Sequence, residues 1–528
     1  MNRIRSFGAA FELAGKVGNY LIRERESNHE ITESLFLYYL GNTCGMTGIS
    51  EICDVFRTRA ATYSLKKNYN VLRNMTKVPS ASTICRVLET YPAETLKGIL
   101  MDWQHSILPP MPRLLHLTAD GKCMRGYRSP DGQLYFFTFH LASLHLPIWV
   151  ETVGQKTNEV TSLLKSVDNL CRDQKFLFTM DALSTQTSVM WAITDVNSHH
   201  LLQVKGNQPK LQERIRNVMI DAINRNDPCI MSTVDLGEYR SNQFPAQIIN
   251  NTQSLIIKED KDEPYDNVED ASSGKGAMSS TAEKKRTKTS NLEDNHKTCR
   301  FVKSLTVNMD NLQIDPNNQN LAALFFENGY LLMGKSNGRF ERRMYWQLHL
   351  KPEELSEFLG PELANIWVKV RSIGLCVRIR ATQKKGIKDN DAPWIVTASV
   401  TPLIMSCYME TEEVARLVRE HWDVEVLHNI LDVDIEEDKC RFRVENAPMN
   451  CALLKRMAMS TIIITNQVEK VFPEYKNAEA PDMSFKSLLT ACHYAPPALV
   501  GLINGDLPCS PFTSDDYHEV KIYDSPLR

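Results

Sequence analysis

An α/β class is predicted, with a mixed sheet preceded by helices and interrupted by a β-rich insertion. Three observations predict it. Apolar residues recur at helical spacing up to about residue 105, the period turns strand-like near residue 113, and strand-like runs dominate again from 299 to 404. A chain of 528 residues is too long for one ordinary domain.

Helical spacing is clearest in ITESLFLYYLG and in ASTICRVLETYPAETLKGILMDW, so residues 1–112 are expected to form an N-terminal helical domain. Pro79-Ser80-Ala81-Ser82 suits the start of a helix that carries Thr83, Arg86 and Glu89 on one side. Small polar residues followed by Arg86 one turn in fit a helix-turn-helix recognition element, and they fit an ordinary bundle helix equally.

RLLHLTAD, QLYFFTFHLAS and LPIWVETVGQ then read as three successive strands separated by turn residues. NEVTSLLKSVDNLC follows as a helix, KFLFTMDA as a buried strand, TSVMWAITDV as a helix and HLLQVKGNQ as a further strand. Three antiparallel strands followed by alternating helix and strand is the order of a ribonuclease-H-like core with a mixed five-stranded sheet. Its first part is expected over 113–210.

Residues 211–404 are expected to be the β-rich insertion, with IWVKVRSIGLCVRIRAT among its strands. Within it, 258–298 has almost no large apolar residues and is expected to stay disordered. Lys284-Lys285-Arg286-Thr287-Lys288 in that stretch is either a nuclear-import cluster or a chance cluster in a polar linker. A long helix starting near Thr411 and a second one over NAPMNCALLKRMAMSTIIIT complete the core over 405–472. The tail, 473–528, carries no usable pattern.

The net charge of −3 does not announce a nucleic-acid partner. Met1–Arg128 is nevertheless basic, with 17 Lys and Arg against 11 Asp and Glu, which suits phosphate docking or simply a solvated face. Thirteen cysteines form no C-x-x-C pair and no zinc-spaced group, as expected of reduced thiols inside a cell. No run of about 18 uncharged apolar residues suggests a membrane span.

Asp120 closes an apolar run and precedes Gly121, and Asp181 repeats the arrangement ahead of Ala182. Neighbouring strand ends of an α/β sheet would set these carboxylates side by side. They then either bind a hard cation such as Mg²⁺ or merely cap the turns that follow. Glu425 sits mid-helix, with His421, Trp422, His428 and Asn429 one turn to either side and Asp432 two turns on.

DGKCMRG, TNEVTSLL, TMDALSTQ, LLQVKGNQ and HWDVEVLHNILDV, with EED and RFR close behind, occur in order over residues 115 to 455. In this the chain resembles the transposases of the H-repeat-associated, ISAs-type insertion sequences. The resemblance implies a DDE triad of Asp120, Asp181 and Glu425 holding two Mg²⁺ ions, with Mn²⁺ as a substitute. The implied activity is metal-dependent DNA cleavage and strand transfer. The implied partners are the DNA of element ends and target, and a homodimer or larger assembly. Lys122, Arg125 and Lys205 would meet DNA phosphates, or they are ordinary solvated side chains; Arg86, Arg339 and His421 are further candidate DNA contacts. The compartment would be cytoplasm or nucleoid in a bacterium and the nucleus in a eukaryote.

Three positions depart from that pattern. Val426 stands where the family has Asn, Asn429 stands where it has Trp, and Asn337-Gly338-Arg339 lacks the leading His. A host-adopted relative that binds DNA without transposing is therefore the alternative reading.

Overall fold

The structure, a computed structural model, describes residues 29–59, 61–62, 66, 72, 74–107, 111–129, 132–153, 159–224, 229–235, 256–259, 306–308, 313–315, 332–334, 339–383, 394–440, 442–471 and 516–526. Contacts divide the chain into two compact units. The first is Met1–Gln203 with Met405–Met409 and Arg416–Asp524; the second is Val204–Ile404 with Glu410–Ala415 and Ser525–Arg528.

The first unit begins with four helices: α1 (His29–Thr43), α2 (Ile49–Phe56), α3 (Ala81–Thr90) and α4 (Ala93–Ile107). In α1 the run Leu35–Leu40 is buried at every position. A helix apolar all round needs partners on all sides. Ser80 caps α3, its hydroxyl accepting from the Thr83 N–H at 3.1 Å. Thr83, Ile84, Val87 and Leu88 face inward while Arg86 is exposed.

Five strands follow: β1 (Leu114–Ser129), β2 (Gly132–Leu141), β3 (Leu146–Val153), β4 (Lys175–Met180) and β5 (His199–Gln203). Helix α5 (Glu159–Leu170) links β3 to β4, and α6 (Thr187–Asp195) links β4 to β5. The strand order is β3-β2-β1-β4-β5. The β3–β2 and β2–β1 pairs are antiparallel; β1–β4 and β4–β5 are parallel. Consecutive residues Leu114–Thr118 of β1 and Phe136–Phe137 of β2 are all buried, so both faces of the sheet are covered.

In the second unit, Pro209–Asn224 forms helix α7, in the span where a β-rich insertion was expected to begin. Strands β6 (Ile230–Asp235), β7 (Ile256–Glu259), β8 (Thr306–Asn308), β9 (Gln313–Asp315), β10 (Leu332–Gly334) and β11 (Arg339–His349) follow. Then come the short helices α8 (Leu355–Leu359) and α9 (Pro361–Ile366), and strands β12 (Ser372–Gln383) and β13 (Trp394–Met405). Strands β10 to β13 are neighbours in chain order, β6 pairs antiparallel with β11, and β7 runs parallel to β13. Lys258 and Glu259, expected to open the disordered stretch, close β7; residues 260–298, with the basic cluster 284–288, lie outside the described residues.

The strand expected from Ile366 begins only at Ser372. Prolines at the first positions of their turns favour helix over 352–366 instead, and Gly360 supplies the left-handed φ of 84° between α8 and α9. Arg214 of α7 donates to the carbonyls of Phe358 at 2.6 Å and Glu357 at 3.0 Å, locking these helices together.

The long helix expected from Thr411 is broken into α10 (Thr411–Glu420) and α11 (Asp423–Asn429), followed by a π-helical turn, Ile430–Asp434. The second expected helix is α12 (Ala447–Val471), which packs against α1, α3 and α4 and against β3. Tyr39 and Thr461 share a hydrogen bond at 2.8 Å in that contact. Asn450, fully buried, donates to the carbonyls of Leu88 at 2.8 Å and Tyr91 at 2.7 Å, where α3 ends.

The tail also contributes. The Val520 N–H donates to the Leu114 carbonyl at 3.0 Å, and Tyr517 and Val520 are buried. Among the described residues no helix is long and apolar enough to cross a membrane.

Asn450→Ala would leave two buried carbonyls without their donor. It is expected to lower stability by about 1–3 kcal/mol, read as a shift in the urea unfolding midpoint at unchanged slope.

Candidate functional site

The parallel register of β1 and β4 ends on Ala119 opposite Met180. Asp120 and Asp181 are the next residues of the two strands, so their backbones are neighbours where β4 stops. Asp120 is not at a strand end, as its neighbour Gly121 had suggested. Strand β1 runs on through it, with Asp120 opposite Thr138 of β2 and Gly121 opposite Phe137. What ends at Asp120 is the parallel partner, and that opens the sheet beside it.

Asp181 does cap a turn. Its Oδ1 accepts from the Ala182 N–H at 2.6 Å at the head of a short 3-10 turn, Ala182–Ser184. Asp120 Oδ2 lies 3.5 Å from His428 Nδ1 on α11. Burial first, then the charges of Arg456 and Lys122, push the His428 imidazole down to about 3. It is therefore neutral at physiological pH, and its contact with Asp120 is that of a polar neighbour rather than an ion pair.

Helix α11 packs on β1 through its buried Val424 and Leu427. Glu425 lies on this helix three residues before His428 and is exposed. The structure thus brings Asp120 and Asp181 together and sets the Glu425 helix against β1. Among the described residues, however, no three His, Cys, Asp or Glu side chains gather as a metal-holding cluster.

Behind the two acids is a buried ion network. Lys122, two residues past Asp120 and on its face of β1, is 5% exposed. Its ammonium lies 2.5 Å from Asp432 of the π-helical turn, 3.3 Å from Glu437 and 3.5 Å from Asp438. Burial disfavours the charge on Lys122, but Glu437 and Asp432 outweigh it and raise its pKa. Arg456 of α12 pairs with the fully buried Glu437 and stands 4.8 Å over the Phe136 ring of β2. Lys455 donates to the carbonyls of Ile435 at 3.0 Å and Glu436 at 3.1 Å. Gly126 has no room for a Cβ, which would run into the carbonyl oxygens of Asp438 and Cys440.

A second polar group lines the sheet on the other side of Asp120. His116 bonds Glu420 at 2.9 Å through Nδ1 and Thr179 at 2.8 Å through Nε2. His421 meets the same Thr179 hydroxyl at 3.2 Å, and Arg416 donates to Glu420 at 2.8 Å. Burial works against ionising Glu420, yet the His116 hydrogen bond and charge and the Arg416 guanidinium overcome it and hold the carboxyl at about 2. Asp423 goes the opposite way, to about 7, raised by burial and by Glu420 against a lowering by Arg419. His145 Nδ1 lies 3.6 Å from the Asp423 carboxyl.

The other expected DNA contacts fare differently. Arg125 is exposed, and its backbone N–H donates to Asp438 Oδ1 at 3.1 Å. Arg86 is exposed on α3, and His421 is held against Thr179. Lys205 belongs to the second unit, and the Arg339 side chain lies outside the described residues. The sequence reading missed His116, Thr179, Glu420, Glu437 and Arg456. A signal for the first of these was present: in LLHLTADGK the polar residues His116, Thr118, Asp120 and Lys122 alternate along one strand face.

No family model matches the chain. It is similar to "Putative transposase YncI" of Escherichia coli O157:H7, at 24% identity over 440 residues, covering 82% of each chain. It is also similar to "Putative protein YbfL" of Escherichia coli strain K12, at 30% identity over 144 residues, 27% of this chain and 34% of that one. A piggyBac transposase synaptic complex with hairpin DNA aligns with a TM-score of 0.37 and 10% identity over 97% of this chain and 83% of that one, a likeness too slight to bear on fold or function.

Glu420 titrates below its ordinary 4.5 in the folded chain, so its ionisation stabilises the fold above that pH and the contribution is lost as pH falls toward 2. Glu420→Gln is accordingly expected to destabilise at pH 7, with the gap from wild type closing between about 4.5 and 2 in denaturant titrations. Carboxyl NMR of the same variant should show Asp423 titrating below about 7, because Glu420 is one of the groups that raise it.

Proposed function

We propose that this chain is a DDE transposase, cleaving DNA and joining strands at Asp120, Asp181 and Glu425, on a ribonuclease-H-like core. The observation that carries this reading is the register of β1 and β4, which makes Asp120 and Asp181 neighbours, with His428 of α11 3.5 Å from the Asp120 carboxylate. The strand order β3-β2-β1-β4-β5, with parallel pairing only among β1, β4 and β5, supports the core assignment. So does similarity over most of the chain to a relative named as a transposase. DNA is the substrate on this reading.

The donor chemistry of two carboxylates on neighbouring backbone positions fits a hard divalent cation. Asp120 and Asp181 would hold it, and Glu425, exposed on α11, would complete the set. Bound Mg²⁺ or Mn²⁺ would supply Lewis acidity at the scissile phosphate. The chain's own part is positional. The Ala182 N–H fixes the Asp181 carboxylate, and a neutral His428 keeps a further positive charge away from Asp120. Exposed Arg125, five residues beyond Asp120 along β1, would meet DNA phosphate, whereas Lys122 is taken up by its three carboxylates and ties β1 to the segment that follows α11.

Nicking and strand transfer on DNA carrying the gene's own flanking sequence, with Mg²⁺ or Mn²⁺, test this reading. Metal-dependent cutting should fall at least about 10³-fold in Asp120→Ala, Asp181→Ala and Glu425→Ala while the fold is retained by circular dichroism. Equal cutting by all three variants and the parent would remove the triad. DNA binding without cutting by the parent would instead identify a DNA-binding relative that does not transpose, the reading that Val426 and Asn429 beside Glu425 favour.

A further inference from the structure

Away from the paired acids, the first unit holds a cleft of about 800 Å³ at the start of α3, lined among others by Glu33, Arg57, Asn74, Lys77, Ser80 and Thr83. Its volume is that of a small-molecule site. Glu33 reaches into it from α1 and is 7% exposed, and it makes no hydrogen bond or ion pair among the described residues. Burial raises its carboxyl to about 7, Glu30 adds to the shift and Lys66 opposes it. A carboxylate largely removed from water costs stability unless donors reach it, so the cleft that Glu33 lines suits a ligand that brings them.

The same cleft carries the complementary chemistry. The Arg57 guanidinium is steadied by the Pro79 carbonyl at 3.4 Å and by Asp54 at 3.4 Å, yet its side chain remains 45% exposed. Lys77 adds a second cation, and Asn74 and Thr83 add an amide and a hydroxyl. Paired donors for Glu33 and an anion for Arg57 and Lys77 would both be met by one ligand.

We propose that this cleft takes an unpaired guanine nucleotide, its N1–H and 2-amino group donating to the Glu33 carboxylate and its phosphate meeting Arg57 and Lys77. Among the common bases guanine alone presents two adjacent donors on its Watson–Crick edge. Adenine and cytosine set one amino donor beside an acceptor that a carboxylate repels, and thymine offers a single imino donor between two carbonyls. The choice of a nucleotide rests on the DNA reading above. A free nucleotide and the end of a DNA strand share this chemistry.

The test is calorimetric titration of the full chain at pH 8 with dGMP, dAMP and TMP, and with oligothymidylate ending in a 5′-phosphorylated guanosine or thymidine. Wild type should prefer dGMP by about tenfold or more. Tighter binding of the guanosine-ended strand than of dGMP would make the strand end the ligand, and equal binding would make the free nucleotide sufficient. Glu33→Gln should abolish the preference. It should also raise Tm at pH 8, because a carboxyl that titrates near 7 when folded opposes folding once it is ionised. Lys77→Ala should weaken all the nucleotides alike. No base preference in wild type, or a preference that survives Glu33→Gln, would overturn the proposal. Asp120→Ala, outside this cleft, should keep the preference. A chain that prefers dGMP but never cuts DNA would refute the transposase reading and leave this site standing.

Discussion

Glu437 is completely buried, and two cations, Lys122 and Arg456, reach it from different parts of the chain. Three carboxylates around Lys122 outnumber its single charge, and Arg456 supplies the second positive charge. Removing either cation would leave buried charge uncompensated, a loss of about 3–5 kcal/mol in comparable settings. The network therefore fixes one geometry. It ties β1 two residues past Asp120 to the π-helical turn, and that turn to α12. The π-helical turn continues α11, so the place of Glu425 and His428 relative to β1 depends on a network whose centre, Lys122, Glu437 and Arg456, is buried.

The π-helical turn that follows α11 belongs to the same constraint. An uninterrupted helix would carry Asp432 four residues after His428, on the same face. The wider π-helical turn lets that segment depart from regular spacing and brings the Asp432 carboxylate to Lys122. Close approach of Asp438 and Cys440 to β1 then needs the missing side chain at Gly126. Lys122 and Gly126 of the DGKCMRG motif thus act on structure, against the EED segment that follows α11.

Much of this was legible from the sequence, and the reasons differ by element. Strands β1 to β5 and helices α5, α6 and α12 announce themselves because each has one dominant apolar period and clear turn residues around it. Helix α7 and the short helices at 355–366 were missed, because mixed polar sequence and short apolar runs fit strand and helix alike. Asp120 was singled out as a residue that ends its strand, and that context was misread. Gly121 reads as a turn signal, whereas here it sits in a ladder opposite Phe137. Lys122 and Arg125 look equivalent in the motif, and only the fold shows that one is enclosed by carboxylates and the other exposed. Arg456 gave no signal, since a lone Arg in an apolar helix acquires meaning only when Glu437 and Phe136 arrive beside it.

Burial acts on three carboxyls of the first unit with three outcomes, and the difference lies in the donors each can find. Glu420 gains His116 and Arg416 and is held ionised down to about 2. Asp423, three residues on, faces Glu420 as well as Arg419, and rises to about 7. Glu33 has a like charge in Glu30 and only the charge of Lys66 to offset it, and it also rises to about 7. The first is a structural group, satisfied within the fold and tied to Thr179, two residues before Asp181, through His116. The other two remain near neutrality, where a change in their surroundings alters their charge at ordinary pH. Asp423 opens the helix that carries Glu425, so a cation or phosphate arriving beside that helix changes the field in which Asp423 titrates.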